Sequence, residues 1–145
     1  MFLGQHEHTI DEKGRMTIPA RYREVLEEGA YITQGFEQNL MLLTAISFEQ
    51  VAQRISEMSI TSPRARELKR LIFGRAERVE FDRAGRILIP QYLRDIAKLQ
   101  DSATVVGLGD FIEIWNPDQW GKQEVVLDDP DVTNDRFEAF DLPLR

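Results

Sequence analysis

No cysteine occurs in the 145-residue chain, which excludes disulfides, thiolate zinc sites and cysteine nucleophiles and suits a reducing interior. Histidine is scarce as well. His6 and His8 fall on one face of an alternating segment beside Glu7 and Asp11, but no third ligand follows at a suitable spacing, so no metal or other cofactor is expected. No apolar run approaches the ~20 residues that a membrane helix needs. Residues 1–7 lack a basic region followed by a long apolar stretch, so a cytoplasmic location with no membrane partner is expected. Gly107-Leu108-Gly109 lacks the third glycine and following helix of a dinucleotide site and reads as a turn. With no phosphate-cradling loop and no recognisable nucleophile motif, neither an enzyme nor a small-molecule substrate is expected.

A basic excess is missing too. The net charge is −7, which counts against a nucleic-acid partner. Its distribution softens that objection, and net charge alone does not decide it. Residues 1–75 hold ten Lys/Arg against ten Asp/Glu, whereas residues 76–145 hold eight against fifteen. The segment 128–145 alone carries six acids and two arginines, so most of the deficit can lie away from a DNA-facing surface.

What is present is one pattern twice. Asp11-Glu12-Lys13-Gly14-Arg15-Met16-Thr17-Ile18-Pro19 returns as Asp82-Arg83-Ala84-Gly85-Arg86-Ile87-Leu88-Ile89-Pro90, at a constant offset of 71 that also pairs Arg23 with Arg94. This is a duplication. Asp at the first position and Gly at the fourth predict a tight turn in each copy. The expected flanking strands are 8–10 with 15–18, and 79–81 with 86–89. Pro19 and Pro90 end the outgoing strand and suit the first turn of a short helix, expected to reach about Leu26 and Leu99. Strands at 31–34 and 40–44 follow in the first copy, and at 104–106 and 111–115 in the second. Ser47 and Asn116, each three before a glutamine, predict helix N-caps. Phe48, Val51, Ile55 and Met58 form one helical stripe, and Ser62-Pro63 starts a second helix with Ala65, Leu68, Leu71 and Ile72 on its apolar face.

Each copy of about 40 residues is marginal for a core of its own. Two copies closing one shared barrel would cover each other's open faces and edges. The expected fold is therefore mainly β with short helices. It divides into module 1 at 5–48, a helical linker at 49–75, module 2 at 76–120, and a helix end with an acidic tail at 121–145. In that tail Pro130 and the acids favour disorder, while Phe137, Phe140 and Leu142 are suited to docking on a neighbour.

The doubled Asp-x-x-x-Arg motif (Asp11 to Arg15, Asp82 to Arg86), each followed by Ile-Pro, resembles the MraZ family of transcriptional regulators, built from tandem SpoVT/AbrB-type modules. Leu71 to Gly74 and Phe111-Ile112-Glu113-Ile114-Trp115 strengthen the likeness, which covers roughly residues 1–124. The resemblance implies an intramolecular swapped-hairpin (double-split) β-barrel and assembly of chains into a ring. It further implies binding of double-stranded DNA at direct repeats in a promoter, typically the protein's own, ahead of division and cell-wall genes, which predicts a nucleoid-associated repressor. Within the motif, Asp11, Gly14, Asp82 and Gly85 are expected to orient the arginines, because a carboxylate four residues away across a turn can accept from turn amides or the guanidinium.

Arginine offers a rigid donor fork to phosphate or to a guanine edge. Lys13, Arg15, Arg21 and Arg23 fall within eleven residues and are the expected main DNA face, with Arg83, Arg86 and Arg94 secondary. Lys13 and Arg21 become Ala84 and Tyr92 in the second copy, and Glu12 becomes Arg83, so unequal contributions are expected. The central basic helix (Arg64, Arg66, Lys69, Arg70) reads as a solvated or subunit-contacting face. The competing reading is a ring-forming scaffold whose partners are proteins.

Overall fold

The computed structural model describes residues 1–143, the side chains at 133 and 134 excepted, so residues 144–145 of the expected acidic tail lie outside the described residues. In the first half of the chain run β1 (Gln5–Thr9), β2 (Arg15–Thr17), α1 (Ala20–Leu26), β3 (Ala30–Gln34), β4 (Leu40–Thr44), α2 (Ala45–Ser56) and α3 (Pro63–Ile72). The second half repeats the order with β5 (Glu77–Val79), β6 (Arg86–Leu88), α4 (Gln91–Ile96), β7 (Ser102–Gly107), β8 (Ile112–Trp115), α5 (Pro117–Asp128) and α6 (Pro130–Arg136), followed by a 3-10 turn at Glu138–Phe140.

The strands exchange partners between the copies. Six form one sheet in the order β1-β7-β8-β4-β3-β5, and β2 pairs with β6 in a separate two-stranded ribbon. Thus β1 of the first copy lies against β7 of the second (Gln5↔Val106 to Thr9↔Ser102), while β5 of the second lies against β3 of the first. Within the first copy, β1 and β2 form no ladder, and only the isolated bridge Ile10↔Met16 joins the chain between them among the described residues. The simple hairpins expected at 8–18 and 79–89 are therefore corrected: each turn is local, but its strands find their ladders in the other copy. The strands also start and stop earlier than expected, β1 because its partner β7 reaches back to Gln5 and β5 because only Ala30–Ile32 lies opposite it. The hydrogen-bonded ladders form two sheets, not one continuous ring.

One core lies between these layers. Met16 and Ile87 from the ribbon pack with Ile32, Leu42, Val105, Ile112 and Ile114 from the inner face of the larger sheet. All of these are fully buried. A second apolar cluster lies on the outer face of that sheet, where Met41, Leu43, Ile55 and Ile72 join Phe48, Val51 and Leu68 of α2 and α3. This explains the unbroken apolar run of β4: alternate residues serve two different cores, so neither face tolerates a polar side chain.

Helix starts follow local chemistry. Ser62 and Asn116 cap α3 and α5, their side chains accepting from Ala65 N and from Asp118 N and Gln119 N. The cap expected at Ser47 belongs to Thr44, whose hydroxyl accepts from Ser47 N at 3.1 Å, so α2 begins earlier. The helix expected to reach Leu99 ends at Ile96. Residues 130–136 are helical, with Asp129 capping α6, and a 3-10 turn follows at Glu138–Phe140.

Candidate nucleic-acid interface

Each Asp-x-x-x-Arg segment closes as a turn with the same wiring. Asp11 Oδ1 accepts from Lys13 N at 3.0 Å and Arg15 N at 2.8 Å, leaving Oδ2 to accept from Arg15 Nε at 2.7 Å. Asp82 repeats this with Ala84 N, Arg86 N and Arg86 Nε at 2.9, 2.9 and 2.8 Å. The amide of the following arginine, then its guanidinium, holds each carboxyl below the ordinary 3.8 against the opposing pull of burial. Because each aspartate takes the Nε of its arginine, the fork made by the two terminal nitrogens is aimed by the turn and still has its own donors.

The two turns are built into one surface. In the ribbon, Arg15 lies opposite Leu88 and Thr17 opposite Arg86. The pairing continues past its ends, where Ile89 N donates to Gly14 O at 2.9 Å and Ile18 N to Gly85 O at 3.2 Å. Alternation puts Met16 and Ile87 inward and Arg15, Thr17, Arg86 and Leu88 outward. The two arginines are diagonal neighbours, roughly 7–8 Å apart along such a ladder. A longer contact of 3.7 Å links Arg86 Nη1 to Asp11 Oδ2 across the turns. Thr17 and Leu88, not singled out in the sequence, stand between the arginines; the signal was the period of two counted onward from Arg15 and Arg86.

Not all the expected cations gather here. Lys13 and Arg83 are exposed on the turns beside Arg15 and Arg86. Arg23 and Arg94 instead brace the opposite turns. The Arg94 guanidinium lies where a side chain on Gly14 would project, and the Arg23 guanidinium does the same at Gly85. Arg94 Nε donates to Ile89 O at 2.9 Å, whereas Arg23 Nε is buried without a hydrogen-bond partner. Arg21 is drawn to the start of β1, contacting His6 Nε2 at 2.6 Å and Leu3 O at 3.3 Å, and it takes no hydrogen bond or ion pair from either turn. The two modules thus contribute turns of matched wiring to one face of the ribbon. Lys13, Arg15, Arg83 and Arg86 stand on the turns and the ribbon face, with Asp11 and Asp82 between them and Arg23 and Arg94 packed against the turn glycines.

A family model described as "MraZ protein, putative antitoxin-like" matches the chain twice, at residues 1–71 and 72–141. Similar proteins include one from Roseiflexus castenholzii, 48% identical over 83% of this chain and 84% of its own. Another from Herpetosiphon aurantiacus is 46% identical over 88% and 87%, and one from Thermomicrobium roseum 44% over 88% and 89%. All three carry the name transcriptional regulator MraZ.

Proposed function

Since the chain belongs to the MraZ family, we propose that it is a DNA-binding transcriptional regulator whose reading head is the β2–β6 ribbon with its two turns. The observation that carries this is the convergence of Arg15 and Arg86 on one outward face, each held at Nε by its own aspartate. A major groove admits a two-stranded antiparallel ribbon, and a paired arginine fork matches a guanine edge or a phosphate. Lys13 and Arg83, at the flanks, suit the sugar-phosphate backbone, and such contacts set register without reading sequence. Arg23 and Arg94 keep the turns in place beneath them. Arg21, held by His6, contributes through its charge alone.

One ribbon makes few contacts. Assembly of chains, in the ring that family membership suggests, would present several ribbons to successive direct repeats and raise avidity without new chemistry. The finer reading is a cytoplasmic, nucleoid-associated repressor acting at its own promoter, ahead of division and cell-wall genes. No helix among the described residues is long and apolar enough to cross a membrane.

The test is promoter binding by the full chain and its Arg15→Ala variant across a salt series. A lost bidentate contact costs about 1–3 kcal/mol, so affinity is expected to fall about fivefold or more while the assembly state is retained. The wild-type slope of log affinity against log salt should be steep, about 0.9 for each phosphate neutralised, and shallower in the variant. Equal affinity of the two proteins, or wild-type binding indifferent to salt, overturns the reading and leaves the scaffold role.

A further inference from the structure

Two features on the helical side of the molecule have no part in the proposed reading head. The first is an apolar groove where α2 and α3 cross the outer face of β3 and β4. It holds a cavity of about 320 Å³ lined by Met41, Phe48, Val51, Ile55, Leu68 and Phe111. Leu68 also lines a wider depression of about 680 Å³ along α3, together with Ala65, Leu71 and Met58, rimmed by Arg64. Arg64 and Glu67 share this rim, 3.7 Å apart, and α3 as a whole is cationic, with Arg64, Arg66, Lys69 and Arg70 against the one acid Glu67.

The second is the C-terminal arm. From the last turn of α5 onward it shows apolar side chains to solvent. Val125 is 71% exposed, Phe140 69% and Leu142 61%, and Phe137 stacks on Phe140 with ring centres 6.2 Å apart. Isolated exposed apolar residues are ordinary, but a run of them closing on a ring pair marks a contact surface. The arm is also acidic, with Asp128, Asp131, Asp135, Glu138 and Asp141 against Arg136. Arm and groove are thus complementary twice over, ring pair to apolar cavity and carboxylates to the cationic excess of α3.

We propose that the arm of one copy docks into the α2–α3 groove of a second copy. Within one chain α5 packs on β7 and the groove lies over β3 and β4, with β8 between β7 and β4 in the sheet, and Phe137 and Phe140 stay exposed. A contact between unlike surfaces of identical chains is head-to-tail, so it repeats, and it closes a ring when the rotation per step allows. It occupies the outer face of the six-stranded sheet, whereas the β2–β6 ribbon covers the inner face, so each docked copy keeps its turns free. Docking also sets the acidic segment against cations, which removes the largest negative patch from the field around the ribbons.

The inference rests on the reading that chains assemble, not on how they hold DNA. Sedimentation velocity of the full chain tests it against Phe137→Ser/Phe140→Ser and Arg64→Glu/Arg70→Glu, all at exposed positions outside both cores. Each double variant should lose assembly at least tenfold in concentration. Mixed one to one, the arm variant and the groove variant each keep one intact surface, so they should form a heterodimer that grows no further. Asp131→Lys/Asp135→Lys introduced into the Arg64→Glu/Arg70→Glu chain should restore growth. Wild-type assembly with arm variants that sediment identically overturns the proposal and leaves the ring intact. A wild-type chain that stays monomeric overturns both, and arm variants that alter a monomer place the arm on its own groove.

Discussion

At each turn one glycine answers two demands. Gly14 and Gly85 have φ of +87° and +75°, where an L side chain costs about 1–2 kcal/mol. Each also lies under an arginine of the other module, so an added Cβ at Gly14 would sit 2.5 Å from Arg94 Cζ. Gly109 supplies the control, with φ of +84° and open space where its Cβ would stand. Urea unfolding should give a loss of about 1–2 kcal/mol for Gly109→Ala, the backbone cost alone. Gly14→Ala and Gly85→Ala should lose more, because the bracing arginine must move. Equal losses at all three would remove Arg23 and Arg94 from the support of the turns. Asp11, Gly14 and Arg15 could be read from the chain because the turn that joins them is local, its bonds spanning two to four residues. The bracing by Arg23 and Arg94 could not, since each acts on a glycine in the other copy, brought near only by strand exchange.

Short elements here lean on caps and on partners far along the chain. The start of α2 shows why boundaries slip. Ser47 and Gln50 have the spacing of a capping box, yet Thr44 lies three residues before Ser47 and ends β4, so its hydroxyl reaches the Ser47 amide first. Two capping registers were available from local chemistry, and the strand decided between them by fixing where the chain turns. Thermal melts can separate the two. Thr44→Ala should cost about 1 kcal/mol, while Ser47→Ala, inside the first turn, should change stability by no more than a few tenths. A reversed order would return the cap to Ser47. At 116 no rival cap precedes the helix, and at 62 Pro63 fixes the first helical position against Ser59 and Thr61, so there the chain could be read directly. The short strands β2 and β6 have three residues each, too few for an independent ribbon. Their stability comes from Met16 and Ile87, fully buried against the larger sheet.

For the molecule as a whole, duplication and exchange make the halves inseparable. The repeat at offset 71 announces two modules, and a family model matches each of them, but each keeps to itself only one strand pair of the sheet, β3 with β4 or β7 with β8. Residues 1–71 hold β1 without β7, β2 without β6 and β3 without β5. Their inner apolar residues, among them Ile10, Met16, Ile18 and Ile32, belong to a core that Ile87, Ile89, Val105 and Ile112 complete from the other half. A half expressed alone therefore faces unpaired edges on every inner strand and an open core. It is expected to be unfolded, or to pair with a second copy of itself in place of the missing module, and never to be a folded monomer. The intact chain should unfold in one cooperative transition, with circular dichroism and tryptophan fluorescence coinciding, since Trp115 and Trp120 lie in the second half while most of the inner sheet contacts bridge the two. Mixing the separate halves should restore the native spectrum as the exchanged strands re-form. A half that sediments as a monomer and melts cooperatively would mean that each module carries a core of its own, and the ribbon's two arginines would then be aligned by docking between finished domains instead of by a shared ladder.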